Sequence, residues 1–68
     1  MYKLIITTGQ GPSKRTITQQ FFMTQQGLHN AEEIFDQAQH RPEVMELRLF
    51  RQDLHGMNEL KRWRRVEE

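Results

Sequence analysis

The densest chemistry in the chain is Lys61-Arg62-Trp63-Arg64-Arg65, which holds four of the ten Lys and Arg residues and the only tryptophan. Cationic side chains neutralise phosphates and an indole stacks on a base, so the run is a candidate nucleic-acid contact. Two features weigh against it. On a strand the four charges alternate between faces. The formal net charge is only +1 at pH 7, whereas nucleic-acid-binding domains are usually strongly basic. Edge protection and ion pairing with acids of a neighbouring helix are the competing uses.

Gly9-Gln10-Gly11-Pro12-Ser13-Lys14 has the composition of a phosphate cradle but not its spacing. A P-loop sets four residues between its glycines and opens a helix with Lys-Ser/Thr; here a strand pattern follows, so the segment reads as a hairpin loop. His29, His40 and His55 are dispersed, and no spacing brings together the three or four ligands that a metal needs. Glu32, Glu33 and Asp36 form the polar side of a helix, not a carboxylate pair with one desolvated member. Ser13 is the only serine, and no histidine lies near it in the chain. The expectation is no catalytic residue, no metal, no cofactor, no small-molecule substrate and no enzymatic activity.

Size sets outer bounds. Sixty-eight residues make a single small domain, residues 1–68, too short for a dinucleotide-binding fold or a TIM barrel. At ~1.5 kcal/mol of ordering entropy per residue, folding has to offset roughly 100 kcal/mol. A core drawn from 35% hydrophobic residues does that narrowly, so self-association or a partner is expected to add stability. The absence of cysteine leaves no disulfide framework and favours a reducing compartment. No apolar run reaches the ~20 residues of a membrane span, and Leu4-Ile5-Ile6 is too short for a signal core. A cytoplasmic location follows as the expectation.

The elements that position these residues alternate clearly. Residues 2–8 read as a strand, with Tyr2, Leu4 and Ile6 on one face. Residues 15–23 read as a second, with Ile17, Phe21 and Met23 together. Pairing Thr8 with Arg15 sets Ile6 opposite Ile17 and Tyr2 opposite Phe21, so the apolar parities coincide. Leu28, Ala31, Ile34, Phe35 and Ala38 mark a helix over about 28–40. Asn30 and Glu33 suggest a capping box, Thr24 is the competing cap, and Gly27 would then sit awkwardly in the first turn; a start between Gly27 and Ala31 is favoured. Pro42 ends the helix. Strands at about 44–52 and 58–66 follow, joined by a turn at Asp53-Leu54-His55-Gly56. The fold class is α+β: a two-layer ββαββ arrangement, with a four-stranded, mostly antiparallel sheet and one helix on one face.

One helix leaves the second sheet face uncovered. Parity places Ile5, Phe22, Val44, Phe50 and Trp63 there, among Lys3, Arg48, Lys61 and Arg65. A register shifted by one residue would turn Trp63 inward, because the strand period is 2. Exposed aromatics with arginines are the usual make-up of an interface. Phe22, Arg48, Phe50, Lys61, Trp63 and Arg65 are therefore the candidate partner-binding residues. The expected function is a non-enzymatic protein-interaction module that binds a protein partner or itself through that face or an unpaired sheet edge. Its size matches the accessory proteins of phages and mobile elements that modulate larger host proteins. Nucleic-acid binding through Lys61–Arg65 and Trp63 is the alternative.

Overall fold

The computed structural model describes residues 1–66 and carries the elements β1 (Tyr2–Thr8), β2 (Arg15–Phe21), α1 (Gln25–Ala38), β3 (Val44–Asp53) and β4 (Gly56–Arg64), with a 3-10 turn at Gly11–Ser13. The sheet order is β2-β1-β3-β4, and every neighbouring pair is antiparallel. The chain is thus an α+β domain with one helix packed on a four-stranded sheet. α1 carries the chain from one edge strand, over β1, to the strand on its far side. β1 and β3 are central; β2 and β4 are the edges.

The first hairpin has the register that its alternation implies, with Tyr2 opposite Phe21, Ile6 opposite Ile17 and Thr8 opposite Arg15. Its loop turns through Gly9 at φ +73°, where a Cβ would lie 2.6 Å from the Ser13 carbonyl oxygen. Only glycine suits that combination of left-handed backbone and close approach.

The helix starts earlier than the capping-box reading proposes. Thr24 is the N-cap: its Oγ1 accepts a hydrogen bond from the Gly27 N–H at 2.9 Å. Asn30 lies inside the helix, where its Oδ1 accepts from the Gln26 side chain at 2.9 Å. Gly27 is buried in the first turn because the helix enters directly over the exit of β2. A Cβ there would collide with the Phe22 carbonyl oxygen. The glycine that argued against an early start is the residue that permits one.

The core lies under α1. Leu4, Leu47 and Leu49 of the two central strands are fully buried with Ala31, Phe35, Ala38, Tyr2 and Val44. Alanine at two of the four buried helix positions lets the helix come close to the sheet. Val44 is inside because Met45 is an extra residue on β3, a bulge that pairs Thr7 with Glu46 and Thr8 with Val44. Simple alternation assigns Val44 to the open face, and the bulge reverses that assignment.

Intrinsic propensity favours Ala over Gly in a helix interior by ~1 kcal/mol. At Gly27 the collision with Phe22 outweighs that gain, so Gly27→Ala is expected to lower the urea midpoint. An unchanged or raised midpoint would mean that the helix entry is looser than described.

Candidate functional site

A second bulge decides where the candidate partner-binding residues go. β4 pairs with β3 as the turn dictates, Gln52 opposite Met57 and Phe50 opposite Glu59; the register then slips between Leu49 and Phe50. Leu60 is the extra residue. Beyond it Leu49 faces Lys61, Arg48 faces Arg62, Leu47 faces Trp63 and Glu46 faces Arg64. The bulge turns Lys61, Trp63 and Arg65 from the open face to the helix side, which corrects their placement by alternation.

Each of the three then serves the domain itself. Trp63 packs against the rim of the core. Lys61 pairs with Glu32 of α1 at 3.7 Å, its ammonium 5.5 Å from the Phe35 ring centroid. Arg65 donates to the carbonyl oxygens of Val44, Arg41 and Gln39 at 3.0, 2.9 and 3.3 Å, and its guanidinium lies 5.1 Å from the indole centroid. It ties the end of α1 and the following turn to the end of β4. Arg62 and Arg64, which alternation sets on the helix side with Leu60, are turned to the open face, at 3.8 and 4.0 Å from Glu46. All five residues of the basic run thus have intramolecular contacts: Lys61 pairs with a helix acid as expected, whereas Arg62 and Arg64 pair with Glu46 of β3 and Arg65 with backbone carbonyls.

The open face carries Arg48 and Phe50 as the alternation places them, but not an apolar patch. The Arg48 guanidinium lies 4.7 Å from the Phe50 ring centroid and bonds Glu59 Oε2 at 2.9 and 2.8 Å. Phe50 is only 8% exposed although no helix covers it. The register adds Lys3, Ile5, Thr7, Thr16, Thr18, Gln20, Gln52 and Met57 to that face, so its surface is mostly polar, with half-buried Ile5 and exposed Met57 set apart among polar groups. Phe22 is not on the face at all: it follows the end of β2 and is 81% exposed.

The glycine loop binds itself. The amides of Ser13 and Lys14 donate to the carbonyls of Gln10 and Gly11, the Gly9 amide donates to Glu43, and the Ser13 hydroxyl donates to the Gln10 carbonyl at 2.8 Å. A polar hollow of about 430 Å³ lies beside it, lined by Lys14, Glu46, Arg64 and Arg65 among others. Among the described residues no three His, Asp or Glu side chains gather as a metal site would require, and no helix is long and apolar enough to cross a membrane.

The two sheet edges differ in kind. β4 is bulged and carries Glu59, Lys61, Arg62 and Arg64, the devices that keep an edge from pairing. β2 has no bulge, and its one charge, Arg15, is at its first residue. In an antiparallel strand alternate N–H and C=O groups point away from the neighbour, so β2, paired only to β1, offers a row of free backbone groups. Beside it, between the strand and α1, an open groove of about 420 Å³ is lined by Ile6, Ile17, Ile34 and Ala38 with Gln19 and Gln37. Ile17 in this groove is 53% exposed. The partner-binding residues inferred from the open face include none of these. One signal for them is in the sequence: from Thr16 to Ala31 there is no Asp, Glu, Lys or Arg. Which strand stands at the edge depends on the strand order, which alternation does not reveal.

The chain matches no protein-family model, no curated protein and no solved structure.

Deleting Leu60 makes the ladder regular: Glu59 still meets Phe50 and Lys61 follows opposite Leu49, so Trp63 keeps its place opposite Leu47 on the helix side. The tryptophan emission of the variant is expected to stay at its original wavelength. A shift to longer wavelength would show that the indole depends on the bulge itself for its burial.

Proposed function

We propose that the protein is a non-enzymatic interaction module, an accessory protein that acts by occupancy and takes an extended segment of a protein partner onto the free edge of β2. One observation carries this reading: an unbulged edge strand whose one charge, Arg15, stands at its first residue lies beside an apolar groove, while the opposite edge is bulged and charged along its length. In strand addition the backbone ladder supplies affinity, and a groove for alternate side chains supplies selectivity. Both parts are present along β2, with Ile17 and Ile34 as the apolar contacts. The absence of cysteine fits a cytoplasmic setting. A modulating role toward a larger protein is in keeping with a chain of this size.

The reading moves the binding surface from the open face to the edge. The face offers a partner little apolar area, because Arg48 and Glu59 cover Phe50 and Trp63 is turned inward. Nucleic-acid binding is less well supported, since Lys61, Arg62, Arg64 and Arg65 are engaged within the domain.

The test is affinity capture from the source cell with an Ile17→Lys, Gln19→Lys double variant beside an Arg62→Ala control, folding being checked by circular dichroism. The double variant is expected to lose specific partners at least tenfold, and the control to keep them. A double variant that is folded and retains its partners would place binding elsewhere.

A further inference from the structure

The edge of β2 is self-complementary, and we infer that its occupant is a second copy of this chain, joined β2 to β2 in antiparallel fashion about a two-fold axis centred on Thr18. This rests on the edge reading above and names the partner for it.

The pleat restricts the possible registers. Two antiparallel strands related by an axis perpendicular to a continuous sheet must pair residues that point to the same face. The numbers of opposing residues then add to an even sum, and the axis passes through a residue paired with its own copy. Of the possible centres only Thr18 uses all of β2, Arg15–Phe21. It places Ile17 opposite Gln19, Thr16 opposite Gln20 and Arg15 opposite Phe21 of the second copy.

Charge permits this register. Arg15 is the only ionic side chain of the strand. The two Arg15 residues end up six positions apart along the seam, about 20 Å at strand rise, and each meets an aromatic ring. The chain as a whole carries a formal charge of +1, so two copies repel each other weakly.

The apolar surface calls for it. The axis puts both helices on the same side of an eight-stranded sheet, so the two grooves face each other across the seam. Ile17, 53% exposed in the single chain, becomes a diagonal neighbour of its own copy, about 7–8 Å away and within reach of a branched side chain. The seam thereby covers the flank of the core that α1 leaves open.

The assembly also closes. Pairing uses the one unprotected edge of each chain, and both outer edges of the joined sheet are then β4, bulged and charged. A head-to-tail contact would propagate; this one stops at two copies.

The chain has no cysteine, so Thr18→Cys tests the axis directly. Under mild oxidation the variant is expected to convert to a covalent dimer of about 16 kDa, twice the 8.2 kDa chain. Arg62→Cys on β4 should not. Sedimentation of the unmodified protein over a dilution series should show a monomer–dimer equilibrium, and Ile17→Lys should weaken it by about tenfold or more while leaving the circular dichroism unchanged. A protein that stays monomeric, or a dimer that neither cross-links through Thr18→Cys nor responds to Ile17→Lys, would overturn the inference. If a monomeric protein still loses captured partners through the β2 double variant, the edge reading stands and the occupant is a foreign strand. If those partners are kept, the edge reading fails as well.

Discussion

The width of a helix against the width of a sheet governs this domain. An α-helix with its side chains is about 10–12 Å across, and four strands at ~4.8 Å spacing are nearly twice that. One helix therefore shields two strands well and the outer two poorly. α1 lies over the central strands, and the fully buried residues Leu4, Leu47 and Leu49 all belong to them. Everything else about the surface follows from how the two flanks are finished.

The flanks are finished in opposite ways. On the β4 side, the extra residue Leu60 rotates three long side chains inward. Lys61, Trp63 and Arg65 then fill the space beside the helix and engage Glu32, the Phe35 ring and the carbonyls after the helix end. The Lys61 stem covers apolar surface while its ammonium stays wet, and the Arg65 guanidinium is held by those carbonyls. On the β2 side nothing comparable occurs. Ile17 and Gln19 are too short to close the gap to Ile34 and Gln37, and a groove remains. The difference between the flanks, more than the open face, gives the molecule a side on which something can bind.

Much of the fold was legible because it obeys a two-residue period. The pairing of Ile6 with Ile17 and of Gln52 with Met57 follows from alternation and turn length alone. What alternation cannot show is an interruption of itself. Each bulge sets one extra residue out of step, Met45 on β3 and Leu60 on β4, and inverts the assignment on one side of it, so Val44 before the first and Trp63 after the second lie inside. Gly27 was misleading for a related reason: a close approach between the helix entry and Phe22 is a tertiary fact, and a local propensity scale records only its cost. The candidate site suffered most, because three of its six residues (Lys61, Trp63 and Arg65) lie beyond the Leu60 bulge. Arg48 and Phe50 kept their face, yet their own contacts make that face polar.

The strand order has a bearing on how the chain comes together in time. β1 and β2 are neighbours in the chain and in the sheet, so the hairpin can form as soon as both have left the ribosome. Its β1 edge then waits until α1 and β3 have been made, since β3 is the strand that lies against it. For that interval the nascent hairpin has two bare edges, both rich in β-branched residues. Completion of the chain covers one of them. The other, β2, is met by no later strand among the described residues, so one of the two edges that the hairpin was born with is still bare in the folded sheet.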